Sequence, residues 1–291
     1  MSARQHGLAL AEILIAMALS LLVALAAASL LHASNGDFLH NGANTRIDDS
    51  GRFALAIIGQ SLRQAGYAGE PGAMAAAAAP TPLPVEGRDA AGVASNADGL
   101  GDAQPSVNGS DAIAIRYAPA AITGAEGGGA MLNCAGFPAD PGEWAWSIFY
   151  VARASDGIAE LRCKYKGENG WGSDAVVRGV DAFHVLYGID TDSPRDNIPN
   201  LYLTAAGIVA LDATLPASER AVRTHWRRVT SVRIALLLHG ERGSRAGNLL
   251  SSYELLPGAD PAARIDEASL PLPMQHRARR LFTATVAVRN Q

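Results

Sequence analysis

A single carboxylate lies near the start of a long apolar run at the amino terminus of this chain. Glu12 is followed by residues 13–31, which include no charged side chain. A charged side chain costs about 2.5–3.5 kcal/mol at the centre of a membrane helix. The cost is smaller near the helix end, but a charged side chain there is still expected to have a partner of opposite charge. Glu12 is therefore a candidate functional residue. The alternative is a carboxylate that only reaches out to the membrane interface.

Three more carboxylates, those of Asp190, Asp192 and Asp196, are close enough in sequence to meet in one turn. Oxygen ligands of this kind suit a hard cation such as Ca²⁺. The segment lacks the glycine and the closing bidentate carboxylate of the familiar calcium loop. A metal site is thus the weaker interpretation of these residues, and a solvated turn is the stronger one.

The sequence carries no recognisable catalytic pattern. Its seven histidines include no pair at metal-ligand spacing. The Gly-Ser pairs at 172–173 and 243–244 do not extend to the Gly-x-Ser-x-Gly of a nucleophile elbow. The three glycines at 127–129 are not followed by the Lys-Ser or Lys-Thr of a phosphate-binding loop. An enzyme is therefore disfavoured, and no cofactor is expected.

The apolar run also sets the chain's place relative to a membrane. Residues 8–31 number 24, enough to span the hydrocarbon core and too many for the apolar core of a secretory signal. By the positive-inside rule, Arg4 would keep the residues that precede the apolar run in the cytoplasm. The remainder then lies where disulfides form and persist, so we expect Cys134 and Cys163, the two cysteines, to be bonded to each other.

After the apolar run the pattern narrows to one apolar face, and residues 37–67 predict an amphipathic helix that packs on a globular domain. Glycines interrupt this helix and favour bends or a locally melted stretch; they are Gly36, Gly42, Gly51 and Gly59. Residues 69–110 are rich in Ala, Gly, Pro and Asp. They predict loop or short irregular structure, because proline cannot donate to a strand ladder.

Beyond residue 110 the apolar period falls to two. Alternation over 113–117, 144–150, 232–238 and 282–288 predicts half-buried strands of an antiparallel sheet. Arg277, Arg279 and Arg280 precede the last of these strands, where a solvated strand edge is expected. The formal net charge of −4 gives no electrostatic case for nucleic-acid binding.

The amino terminus resembles the processing site of type IV prepilins. A short basic leader, then Gly7 and Leu8, and Glu12 at the fifth position after that glycine carry the resemblance. Five further segments, in order along nearly the whole chain, look like the PilW-type minor pilins: 61–69, 109–111, 180–190, 231–238 and 279–290. The resemblance implies an α+β, pilin-like fold in which a long N-terminal helix packs on a C-terminal antiparallel β-sheet domain.

The parts implied by this resemblance follow one another along the chain. They are a leader (1–7), a transmembrane and assembly half of the helix (8–33), an amphipathic half (34–67) and a periplasmic β-rich domain (68–291) with a variable insert (69–110). A prepilin peptidase would cut between Gly7 and Leu8, and Leu8 would then be N-methylated. Glu12 would neutralise the terminal amine of a neighbouring subunit.

The function implied is that of a minor pilin, which initiates assembly of a type IV pilus or sits at its tip. Such a protein first resides in the inner membrane, with its N-terminus cytoplasmic and its domain periplasmic. Its implied partners are the other minor pilins, the major pilin and a large tip adhesin. A J-type minor pseudopilin of a type II secretion system is an alternative, and a membrane-anchored periplasmic enzyme is the alternative of another class.

Overall fold

A 55-residue helix, α1 (Leu10–Gln64), opens the chain. The structure, a computed structural model, describes residues 10–68, 81–119, 131–139, 143–245, 247–258 and 260–289. The helical backbone runs through all four glycines, so the locally melted stretch is wrong. Gly51 shows one use of a glycine here, because a Cβ atom at this position would lie 2.4 Å from the ring of Phe282. Its missing side chain lets the helix approach the sheet closely.

Strands are the main regular elements of the described residues after α1. They are β1 (Val85–Arg88), β2 (Ala91–Val93), β3 (Ala103–Pro105), β4 (Ala112–Tyr117), β5 (Ala145–Arg153), β6 (Ala159–Gly167), β7 (Gly170–Arg178), β8 (Val180–Ile189), β9 (Leu201–Leu203), β10 (Val229–His239), β11 (Ser252–Glu254), β12 (Arg264–Asp266) and β13 (Arg279–Ala287). Two short helices, α2 (Ala205–Ala213) and α3 (Arg220–Arg223), lie between β9 and β10.

The strands form two main antiparallel sheets. One has five strands in the order β1-β4-β5-β6-β7, and the other has four in the order β13-β10-β8-β9. The four alternating segments found in the sequence correspond to β4, β5, β10 and β13. Hydrogen bonds join the two sheets where β4 begins, since the amide of Asp111 donates to the carbonyl of Phe183 at 2.8 Å and its carboxylate accepts the amide of Val185 at 2.9 Å.

The main core lies between the second half of α1 and both sheets. Residues of β4, β5, β6, β8 and β10 contribute to it together with the buried face of the helix. A second cluster covers the opposite face of β8 and β10, where Leu255 and Ile265 pack on Leu186 and Leu237. Every residue of β8 is buried for this reason. The fold is thus α+β, with a long N-terminal helix on antiparallel sheets.

The predicted irregular insert at 69–110 has regular structure in its described part. The proline run ends at Pro84, and Val85 and Gly87 then pair with Ile115 and Ile113 of β4. As the outer strand of its sheet, β1 needs hydrogen bonds on one side only, so the preceding prolines do not prevent it. β2 pairs with β3, and Val93 of β2 and Leu100 of the loop between these two strands cover the outer face of β4 and β5.

Candidate functional site

The first part of α1 stands apart from the rest of the described chain. Leu10–Leu31 spans 22 residues with a mean hydropathy of 2.6, and none of it is buried against the domain. By length and composition it is able to cross a membrane. Glu12 lies exposed in the first turn of the helix, where the helix dipole favours a carboxylate. Gly7 and Leu8 lie outside the described residues.

The second part of α1 is held by the domain along its length. Its buried apolar side chains are Ile47, Ala54, Ile58 and Leu62. Two ion pairs connect its polar flanks to the domain. Arg46 pairs with Glu241, in the loop after β10, at 3.4 Å, and Asp48 pairs with Arg280 of β13. The first pair is exposed and the second is partly exposed, so each contributes little. Burial of the apolar face is therefore the main attachment of the helix.

The end of α1 is bonded to β4. Gly66 has a φ of +74°, which glycine adopts readily, and it ends the helix. Its amide donates to the carbonyl of Arg116 at 2.9 Å, and the amide of Ala118 donates to the carbonyl of Tyr67 at 2.6 Å. The 61–69 segment singled out in the sequence is thus the junction between the helix and the first sheet.

Cys134 and Cys163 form a disulfide, with their Cα atoms 5.9 Å apart. Cys163 is on β6, and Cys134 is in the loop before β5, where its amide donates to the hydroxyl of Ser147 at 3.0 Å. Both cysteines are buried. The bond therefore fixes a loop to the middle of the five-stranded sheet.

An arginine at the start of β13 is fully buried, which corrects the prediction of a solvated strand edge. Arg279 pairs with Asp181 at 2.6 Å and with Glu267 at 2.7 Å, and its side chain is 0% exposed. Arg245 approaches Glu267 at 3.1 Å from a neighbouring loop. The reason is pairing, because a buried guanidinium is tolerated only with compensating carboxylates. Arg280, the next residue, is half exposed as expected.

This ion-pair cluster lowers the pKa of Glu267. Burial alone would raise the pKa of Glu267, but the amide of Ser251, the Arg279 guanidinium, the amide of His276 and Arg245 together hold it below the usual range. Glu267 is thus ionised and serves as a structural anion. Asp181 belongs to the 180–190 segment and Arg279 to the 279–290 segment, so two segments that resemble the family meet here.

A lysine of β6 is also fully buried. The ammonium group of Lys164 donates to the carbonyls of Ala94, Ala97 and Gly99 at 2.6–2.8 Å. It lies 4.6 Å from the centre of the Trp171 ring. Burial lowers the pKa of Lys164, and nearby Asp98 opposes this shift. The loop after β2 therefore encloses a cation that belongs to the chain itself.

The structure brings Asp190, Asp192 and Asp196 together, with candidate ligand oxygens all within 4.8 Å of one another. The carboxylate of Asp190 already accepts the amides of Asp192 at 2.9 Å, Asp196 at 3.1 Å and Asn197 at 2.8 Å. Burial would raise the pKa of Asp190, but these amides and Arg228 lower it. This geometry is that of a turn organised around one carboxylate, and the metal site stays a weak candidate.

One His-Asp pair deserves comparison with a hydrolase site. His225 and Asp212 approach at 2.6 Å between their Nδ1 and Oδ1 atoms. The hydroxyl of Thr224 donates to this same carboxylate and not to the imidazole. A nucleophile must instead be hydrogen-bonded to the base. The pair caps the turn that follows α3, and its hydrogen bonds are not arranged as in a catalytic triad.

The described structure defines a class: an α+β protein whose N-terminal helix has an exposed apolar first part and a second part that packs on antiparallel sheets. Residues 148–290 match the family PilW, Type IV Pilus-assembly protein W. The matched region holds three of the five segments quoted above.

One solved structure with a similar fold is a type IV-like pilin from Thermus thermophilus. The two chains are 16% identical, the similarity covers 84% of this chain and 97% of that one, and the TM-score is 0.42. No curated protein matches the sequence.

Sequence reasoning missed two features of this domain, Lys164 and the Arg279 cluster. Neither has a local signal, because the partners of Lys164 lie 65–70 residues earlier and Asp181 lies 98 residues before Arg279. The position of Asp181 inside a segment resembling the family was the nearest available hint.

Proposed function

We propose that this chain is a minor pilin, which initiates assembly of a type IV pilus or lies at its tip in a complex with other minor pilins. Before assembly it would span the inner membrane once, with the β domain in the periplasm. The observation that carries the proposal is the exposed segment Leu10–Leu31, which continues as one helix into the half that is packed on the domain. The PilW match over residues 148–290 supports the same conclusion.

The proposed assembly step uses a charge pair. Cleavage between Gly7 and Leu8 by a prepilin peptidase would leave an amine at Leu8, close in sequence to the exposed Glu12. When apolar helices of several subunits bundle, that amine on one subunit and Glu12 on the next would compensate each other. An unpaired charge in such a bundle is costly, so the pair favours correct registration of neighbouring helices.

Replacement of Glu12 by alanine tests this proposal. Removing a charge from an apolar helix does not oppose membrane insertion, so the abundance of Glu12→Ala in membranes should equal that of the wild type. Recovery in sheared fibres, or with the other minor pilins, should fall about tenfold or more, because a neighbour's amine loses its partner. Quantitative immunoblotting of both fractions makes the comparison.

Ser20→Ala is the matched control, because Ser20 is a polar but uncharged residue on the same exposed helix segment and its hydroxyl donates to the carbonyl of Met17 in its own helix. Its recovery in fibres should stay within about twofold of wild type. Equal recovery of Glu12→Ala and wild type would favour a merely anchored domain. If the subunits recovered with the wild type are secretion pseudopilins, the J-type pseudopilin alternative is correct instead.

A further inference from the structure

The outer strand of the second sheet presents a long open edge. β13 pairs with β10 in register from Arg279 with His239 to Ala287 with Ser231, without a shift. Its other side adjoins no strand among the residues that the structure describes. Antiparallel pairs alternate between residues that bond to the partner strand and residues that face away from it. One hydrogen bond at each end of β13 shows whether the odd-numbered or the even-numbered residues bond to β10.

At one end the amide of Gly240 donates to the carbonyl of Ala278 at 2.9 Å, and at the other the amide of Val288 donates to the carbonyl of Thr230 at 2.8 Å. Even-numbered residues between them therefore bond to β10. The odd-numbered residues direct both backbone groups to the open side: Leu281, Thr283, Thr285 and Ala287. Within the described residues these four make no hydrogen bond on that side.

The side chains leave this edge without the usual protection. Residues 281–288 contain no charge and no proline, whereas exposed edge strands are normally blocked by lysine, proline or a bulge. The odd-numbered side chains are exposed, because the cluster around Leu255 and Ile265 covers the outer face of β8 and β10 only. An uncharged edge with free backbone groups suits an extended, uncharged peptide segment.

A second copy of this chain does not fit the edge in the favoured antiparallel arrangement. The helix α1 runs in the same direction as β13, since Asp48 contacts Arg280, Gly51 faces Phe282, and Gly59 lies beside Val286 further along. Antiparallel pairing of two β13 strands would point their apolar helix segments in opposite directions. Two copies anchored in the same membrane cannot have their apolar helix segments pointing in opposite directions. This argument rests on the proposed function.

We propose that the open edge of β13 binds an extended, uncharged segment of a different pilin subunit, which adds antiparallel to β13 and so runs toward the membrane. The backbone groups of Leu281, Thr283, Thr285 and Ala287 supply the hydrogen bonds. The exposed side chains of the same residues supply the contact surface on the outer face. The β domain thereby selects a neighbour independently of the apolar helix.

Thr285→Pro tests the edge directly, with Thr285→Val as the matched control. Proline removes an amide that faces the open side and fills the space beside it, while leaving the bonds to β10 in place. Valine keeps the amide and the branched, uncharged side chain. The tagged full chain is produced together with the other pilins of its own assembly system and extracted in detergent, and the co-purified pilins are quantified by mass spectrometry.

We expect Thr285→Pro to reduce recovery of one minor pilin about tenfold or more and Thr285→Val to leave it within about twofold. Hydrogen exchange on the wild type gives a second readout that needs no variant. Amides of residues 281–287 that face the open side should exchange quickly in the isolated protein and slowly in the complex.

Equal recovery of both variants, or equal exchange of these amides in the isolated protein and the complex, would overturn the edge proposal and leave the minor-pilin function standing. A homodimer cross-linked through β13 would overturn it as well. If the wild type recovers no pilin at all, the proposed function fails and the edge proposal fails with it.

Discussion

Replacing Arg279 by methionine should lower the free energy of unfolding by about 3–5 kcal/mol at neutral pH, the usual cost of breaking a buried ion pair. The magnitude follows from burial and pairing. The guanidinium is 0% exposed and bonds two carboxylates at 2.6 and 2.7 Å, both of which are also buried. Methionine preserves much of the side-chain volume, so the loss comes from the charges and not from a cavity. Asp181 loses its ion pair with Arg279, and Glu267 keeps only Arg245 as a charged partner.

The adjacent residue provides a matched control. Arg280 lies on the same strand but is half exposed and pairs with a partly exposed Asp48. Arg280→Met should therefore cost no more than about 1 kcal/mol. Urea unfolding of the full chain in a non-ionic detergent, followed by tryptophan fluorescence, measures both variants against the wild type.

The pH dependence gives an independent signature. In the wild type the pKa of Glu267 is lowered, so its stabilising contribution is present above the ordinary value of about 4.3 and is lost as the pH falls through the lower folded value. Without Arg279, the pKa of Glu267 should rise because burial is less well opposed, and protonation then relieves part of the penalty in acid. The gap between wild type and Arg279→Met should narrow from pH 7 to pH 4.

If Arg279→Met costs no more than Arg280→Met at pH 7, the cluster does not stabilise the fold in the way described. A gap that widens in acid would refute the electrostatic reasoning even if the cost at pH 7 were large.

Three further predictions concern other parts of the chain. Lys164→Met should cost roughly 2–4 kcal/mol, because three inward-facing carbonyls lose a charged donor; limited proteolysis should then cut the loop after β2 faster than in the wild type. Non-reducing peptide mapping should find Cys134 bonded to Cys163, and two free thiols in the wild type would contradict the bond. Replacing both cysteines by serine should lower the free energy of unfolding by about 3–4 kcal/mol, less any native strain, because the bond closes a loop over a separation of 29 residues. The mature protein should begin at Leu8 and carry an N-methyl group, which intact-mass analysis decides, and a mature chain that starts at Met1 would exclude prepilin processing at Gly7.

Sequence reasoning found the elements whose two faces differ. The alternation in β13 predicted a strand because its even-numbered residues from Phe282 to Val286 are partly buried and its odd-numbered residues from Leu281 to Ala287 are exposed. The uninterrupted apolar segment of α1 predicted a helix that is long enough to span a membrane just as clearly. β8 gave no such alternation, since both of its faces are covered, and it was noticed only through its resemblance to pilins.

Charged residues were the harder case. Charged residues that lie close together in a sequence are ordinarily exposed to solvent, so Arg279 was predicted at an exposed strand edge. Its burial depends on Asp181 and Glu267, which the fold brings to it from separate elements. The carbonyls that bind Lys164 lie in the insert at 69–110, which was predicted only as loop or irregular structure, and their inward direction is visible only in the fold. Such long-range pairings leave no trace in local periodicity.

The parallel course of α1 and β13 has a mechanical consequence. A continuous helix of 55 residues is about 80 Å long, and a pull on its amino-terminal end acts along its axis. The contacts of Ile47, Gly51 and Ile58 with the domain are spread along that axis, so the load would be shared among them as shear and would not peel them apart one at a time. We expect the helix and domain to withstand axial tension far better than a sideways force of the same size.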